Sequence, residues 1–190
     1  MVSNRALNSK NIIFREASAK DIDQMIAIIG DYYIQHNLED ITNCERKPPW
    51  IWMSDPQVSF NLMIIDKQIV GFYIARIIPF NYHLHSFFIK KRFRGLGLGR
   101  KLLQEHWREG LHKKSFKIKT FTLHVHKTNI LGVDFYQKYS YKKVNQSKIL
   151  LSEDSGLGSW ARNCHEKDQW PLRDGIDLYY LSANNACLTT

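Results

Sequence analysis

Apolar and polar positions alternate weakly over residues 11–17 and predict a first strand. Ser18 stands three residues before Asp21, close to a capping box. Ile22, Met25, Ile26, Ile29 and Tyr33 then recur at helical spacing, which predicts a helix from about 19 to 35. Residues 58–65 and 69–78 read as two strands of an antiparallel hairpin, with Asp66-Lys67-Gln68 as the turn. Pro79 ends the second, and 82–89 forms the next strand. Leu98, Leu102, Leu103, Trp107 and Leu111 lie on one face of a helix. Residues 117–126 read as a strand, Thr128 as the cap of a helix ending near Tyr139, and 142–151 and 176–182 as two last strands. Two stretches carry no regular period. One is 37–56, with Pro48-Pro49, Trp50, Trp52 and room for a short helix; the other is a long loop at 152–175.

This order predicts an α/β fold, a mixed sheet flanked by helices. A length of 190 residues is that of one domain, expected over 1–190 with 1–10 flexible. No run approaches the roughly 18 apolar residues of a membrane span, and 1–10 lacks the apolar core of an export signal. Cys44, Cys164 and Cys187 are widely spaced and odd in number, which supports neither a disulfide framework nor a zinc site. The expectation is a cytoplasmic protein without a metal and without a membrane partner. The net charge of +9, from 27 basic and 18 acidic residues, favours a polyanionic partner: nucleic acid, anionic membrane or a phosphorylated cofactor.

Six of those cations sit in one segment. Residues 90–103 read Lys-Lys-Arg-Phe-Arg-Gly-Leu-Gly-Leu-Gly-Arg-Lys-Leu-Leu, with glycines at 95, 97 and 99. Glycine admits positive φ and close approach of backbone to a ligand, and a helix N-terminus presents N–H groups and partial positive charge. Together they make a phosphate cradle. A P-loop is excluded because Arg100-Lys101 follows Gly99; the dinucleotide fingerprint is excluded because Arg100 stands where its third glycine belongs. What remains is Arg94-x-x-Gly97-x-Gly99 between a strand and a helix. This resembles the acetyl-CoA pyrophosphate loop of the GNAT superfamily of N-acetyltransferases. A plain glycine-rich turn is the alternative.

Residues 129–141, Asn-Ile-Leu-Gly-Val-Asp-Phe-Tyr-Gln-Lys-Tyr-Ser-Tyr, resemble the second GNAT signature: Asn129, a small residue at 132, Tyr136, and Ser140 where that signature has glycine. Asn129 and Tyr136 are seven apart and share a helix face. Tyr136 reads otherwise as a core aromatic, and Asn129 as a residue that caps the turn.

The resemblance implies a GNAT-like, mostly antiparallel sheet of about seven strands, splayed at its two central strands. It implies acetyl transfer from acetyl-CoA, as co-substrate, to a primary amine by direct attack in a ternary complex. Gly95, Leu96, Gly97, Leu98, Gly99 and Arg100 would bind the cofactor with Arg94 and Asn129. A backbone N–H near Phe88 or Ile89 would stabilise the oxyanion, and Tyr136 would protonate the leaving thiolate. The family often carries a Glu on the strand before the loop. Aligned back from Arg94, those positions hold His83 and His85; His83 is the first candidate for the base, His85 the second and His126 the third. The acceptor, a small molecule or a peptide amine, stays open, as does oligomeric state, a homodimer included. Nucleic acid is not an expected partner of such an enzyme. A non-catalytic basic nucleic-acid-binding domain and a CoA-binding sensor without transferase activity are the competing readings.

Overall fold

The computed structural model describes residues 11–35, 53–78, 80–113, 116–144 and 176–187. The Trp50/Trp52 segment, the 152–175 loop and residues 1–10 lie outside them. The elements run β1 (Ile12–Glu16), α1 (Ile22–Gln35), β2 (Val58–Ile65), β3 (Gln68–Ile78), β4 (Asn81–Ile89), α2 (Leu98–His112), β5 (Thr120–His126), α3 (Ile130–Lys138), β6 (Lys142–Lys143), β7 (Ile176–Ser182) and α4 (Ala183–Cys187). The strands form a seven-stranded mixed sheet in the order β1-β2-β3-β4-β5-β7-β6. β4 and β5 are parallel, while β1 with β2, β5 with β7 and β6 with β7 are antiparallel. The expected α/β architecture is the one observed.

Three local differences have physical reasons. The strand expected from 117 begins only at Thr120, because Lys117 takes a positive φ of 27° that no strand accommodates. β6 is two residues long, and Val144 after it still donates its N–H to the carbonyl of Leu178 at 2.9 Å; residues 145–151 lie outside the described ones. α4 is five residues, too short for an apolar period to announce it.

The chain divides into two compact units, Met1–Ala75 with Ser86–Glu105, and Arg76–His85 with His106–Thr190. In the first, α1 is anchored at its start. Asp21 ends a 3-10 turn over Ala19–Asp21, and its carboxylate accepts the N–H and hydroxyl of Ser18 at 2.9 and 2.8 Å. Arg15 donates to both its oxygens, at 2.7 and 2.6 Å. These bonds hold the Asp21 carboxyl far below the ordinary carboxylate range. From this anchor α1 lays Met25 and Ile28 against Phe60, Leu62, Phe72 and Phe88. Each such buried side chain contributes about 1.5–3 kcal/mol. The β2–β3 turn is two residues, Asp66 and Lys67, both at positive φ (50° and 63°). That is the mirror-image turn whose twist suits a hairpin.

In the second unit Tyr82, Phe121 and Trp107 are fully buried. Gly110 of α2 lies so close to Tyr82 and Phe121 that a Cβ there would come within 2.7 Å of both rings. Tyr82 donates its hydroxyl to Glu109 at 2.5 Å, and Glu109 pairs with Lys113 at 3.0 Å. The parallel ladder sets Asn81, Tyr82, His83 and Leu84 opposite Thr120, Phe121, Thr122 and Leu123. β5 continues past that ladder to His126, paired there with β7.

Candidate functional site

The glycine loop lies in the first unit. β4 ends at Ile89, and the N–H of Lys90 still donates to the carbonyl of Val70 at 2.9 Å. A 3-10 turn over Lys91–Phe93 follows. Arg92 donates to Gln68 and covers the ring of Phe93, so this cation is engaged by the protein itself. Arg94 turns back, its Nε–H donating to the Ile89 carbonyl at 2.8 Å and its guanidinium standing 5.5 Å from the Phe88 ring centroid. Phe88 and Ile89 are buried. Gly95 and Gly97 both take positive φ, 74° and 75°. A Cβ added at either would meet no heavy atom within 4 Å. α2 starts at Leu98, and the Lys101 N–H donates to the Gly97 carbonyl at 3.3 Å. The amides of residues 97–100 come before that first helical bond, and Leu98 buries its side chain to hold the turn in place. Leu96 and Gly99 are half-buried, and Arg100 is exposed. Conformation and open space together fit a diphosphate held by backbone N–H groups.

The second signature lies in the other unit. The N-cap of α3 is Asn129, whose Oδ1 accepts the Gly132 N–H at 3.1 Å. A Cβ at Gly132 would stand 2.6 Å from Asn129 Nδ2, so this cap requires the small residue. Thr128 is therefore not the cap: its N–H donates to His126 Nδ1 at 3.3 Å, and its Oγ lies 2.7 Å from the same nitrogen. Tyr136 is half-buried on α3, with Phe135 and Tyr141 edge-on at 5.3 and 5.7 Å between ring centroids. Tyr141 is fixed in turn by Trp107, whose Nε1–H donates to its hydroxyl at 3.1 Å. Burial pushes the Tyr141 phenol well above its ordinary pKa. No sequence motif marks this support for Tyr136. Its only signal was the aromatic run 135, 136, 139 and 141.

The histidines separate by burial. His83 is buried, and its Nδ1 lies 2.9 Å from Thr122 Oγ1. Thr122 also exchanges hydrogen bonds with Asn81, a buried polar group of three side chains. Burial, then the neighbouring His124, His85, His106 and Arg76, pushes the His83 pKa well below 6.5. His124, 5.0 Å from His83 between ring centroids, is pushed by burial to about 4. His106 stacks on Tyr82 at 4.8 Å and is pushed by burial to about 3. His85, two residues from His83 on the same strand, is half-buried. His126 is exposed, and its Nδ1 already accepts the Thr128 N–H. The expected site residues thus fall in both units: Phe88, Ile89 and 94–100 in the first, His83, His85, Asn129 and Tyr136 in the second.

Comparison with known proteins adds three findings. Residues 51–149 match the family model of the acetyltransferase (GNAT) domain. A search of curated protein sequences returns no match. Among solved structures, the chain is similar to a GNAT-family acetyltransferase from Staphylococcus aureus at 19% identity and TM-score 0.64, over 91% of this chain and 99% of that one. It is similar to the PaiA N-acetyltransferase of Thermoplasma acidophilum, solved with coenzyme A, at 20% identity and TM-score 0.59, over 90% and 99%. It is similar also to the ribosomal-protein-S18-alanine N-acetyltransferase of Escherichia coli at 14% identity and TM-score 0.58, over 91% and 94%. At such identities the likeness is one of fold.

Proposed function

Because the chain belongs to the GNAT acetyltransferase family, whose members draw an acyl group from acetyl-CoA, we propose that it acetylates a primary amine by direct attack, the whole of residues 1–190 acting as one domain. The observation that carries this reading is the loop: two glycines at positive φ with nothing over them, immediately before the start of α2. In this reading the amides of 95–100 and the guanidinium of Arg94 or Arg100 hold the diphosphate of acetyl-CoA, and Asn129 adds its side-chain amide. When bound, that co-substrate supplies the activated acetyl group. A cytoplasmic setting suits three dispersed cysteines.

Only a neutral amine attacks. A lysine-like amine of pKa about 10.4 is neutral in about one molecule in 2,500 at pH 7, a handicap of about 4.6 kcal/mol. We assign the removal of its proton to His85 before His83. Burial leaves His83 a weak base, whereas half-exposed His85 lies on the same strand with access to solvent. A backbone N–H at Phe88 or Ile89 steadies the oxyanion, and the Tyr136 hydroxyl donates its proton to the departing sulfur. Support for Tyr136 comes from its place on α3 and the aromatic rings that fix it.

The test is calorimetry with coenzyme A and acetyl-CoA, followed by a thioester-consumption screen over amine classes. Binding is expected, with turnover on one amine class and at least a ~10-fold loss in Tyr136→Phe. His85→Gln is expected to lose more activity at pH 7 than at pH 9, where more amine is already neutral, and His83→Gln to show the smaller difference. No heat with either nucleotide would end the reading. Equal pH profiles for wild type and His85→Gln would remove His85 as the base.

A further inference from the structure

The β3–β4 turn and the segment between α2 and β5 carry aromatic and cationic side chains that the proposed chemistry does not use. Phe80 is 42% exposed and Phe116 44%. Lys117 and Lys119 are exposed as well. Backbone bonds tie Phe80 to Lys119. The carbonyl of Phe80 accepts the N–H groups of Lys119 and Thr120 at 2.8 and 3.1 Å, and the Lys119 ammonium stands 5.1 Å from the Phe80 ring centroid. Phe116 is three residues from Lys119, within about 11 Å even of fully extended chain.

Phe80 is also strained. Its φ is 62°, in the left-handed region that glycine and asparagine enter far more easily than a bulky residue. The two bonds to its carbonyl explain why the backbone takes this conformation. They do not by themselves call for a phenylalanine, since the backbone conformation favours glycine or asparagine and the ring's contact with the Lys119 ammonium leaves it 42% exposed. A bulky aromatic residue in a conformation that costs it energy directs attention to a use outside the fold.

We propose that Phe80, Phe116, Lys117 and Lys119 form a platform for single-stranded nucleic acid, with unpaired bases stacked on the two rings and phosphates held by the two ammonium groups. Aromatic faces interleaved with cations are the chemistry that such strands need, because every base has a π face and every linkage a negative charge. The chain's charge of +9 favours the same partner. An anionic membrane fits less well: inserting Phe80 into acyl chains would carry the ammonium on its ring in with it. An acidic peptide would satisfy the lysines and leave the rings without a role.

The test is fluorescence anisotropy of labelled 15-residue oligouridine and oligothymidine with the full chain at 50 and 200 mM salt, with phosphatidylserine vesicles as a second arm. Wild type is expected to bind an oligonucleotide in a salt-dependent way. Phe80→Asn is expected to weaken binding about tenfold with an unchanged salt slope, while Tm rises by a few degrees as strain is relieved. Phe116→Ser, which leaves the turn alone, should weaken binding at unchanged Tm. Lys117→Gln with Lys119→Gln should reduce the slope of log K against log salt by about 1.4. Acetyl transfer should be unchanged in all of them. No binding of either oligonucleotide, binding of vesicles alone, or wild-type affinity in both aromatic variants would overturn the proposal, whatever the outcome of the acetyltransferase screen.

Discussion

Ser140 occupies the position after α3 where the GNAT signature has glycine, and it takes φ 66°. The serine adopts the left-handed conformation rather than changing the end of the helix. The Ser140 N–H reaches the Gln137 carbonyl at 3.0 Å and the Tyr141 N–H the Tyr136 carbonyl at 3.2 Å. Left-handed backbone costs a residue with a Cβ about 1–2 kcal/mol, part of which glycine gives back as unfolded-state entropy. Ser140→Gly is therefore expected to stabilise the protein by about 1 kcal/mol in urea unfolding, with Tyr136 left in place. Gly97 presents the opposite case. Its φ of 75° with open space at the Cβ predicts that Gly97→Ala strains the loop and places a methyl in the space the proposed diphosphate would take. Acetyl-CoA affinity should fall at least ~10-fold in calorimetry, with a modest loss in Tm. Equal affinity would count against the cradle. Gly95 and Gly97 were legible from the sequence because a motif with positive φ leaves glycine few substitutes. The cap at Asn129 was misplaced by one residue, since Thr128 and Asn129 are both good caps and only the fold around His126 decides between them.

At the scale of elements, two buried histidines, His83 and His106, and the half-buried His124 sit on β4, α2 and β5. The folded pKa of His83 is well below 6.5, that of His106 about 3 and that of His124 about 4, each chiefly through burial. Above pH 6.5 folded and unfolded chains are both neutral at these sites, and stability is at its plateau. As pH falls below 6.5 the unfolded chain gains protons that the folded chain refuses, so stability drops by up to about 1.4 kcal/mol per pH unit for each histidine. Between pH 7.5 and 5.5 the three together should lose about 4 kcal/mol, seen as a lower urea midpoint. Asp21 acts in a separate window. Its lowered carboxyl contributes stability above pH 4, lost only in stronger acid. A stability unchanged from pH 7.5 to 5.5 would mean that these rings are not held neutral by the fold. The strands that carry the histidines were legible from alternation. Which of the rings were buried was not, because burial depends on what covers a face rather than on which residues form it.

For the molecule as a whole, charge is the property that acts at a distance. With +9 overall and five exposed cations between Lys91 and Lys101, acetyl-CoA should bind more weakly as salt rises from 50 to 300 mM. An affinity insensitive to salt would place the binding energy in apolar contacts instead. The α/β architecture was readable beforehand, whereas the parallel pairing of β4 with β5 through α2 is a finding of the structure. A strand, a glycine turn, an amphipathic helix and another strand admit few other arrangements.

Local pattern along the chain carries the order of elements from β1 to β7, the loop at 94–99 and the family it points to, because periodicity, turn residues and glycine placement act over a few neighbouring positions. Tertiary structure alone decided that Trp107 holds Tyr141 from 34 residues away, that Thr122 meets His83 across 39, and that the carbonyl of Phe80 anchors the start of β5. Such contacts exist only once strands pair and helices dock, so no local pattern in the chain records them.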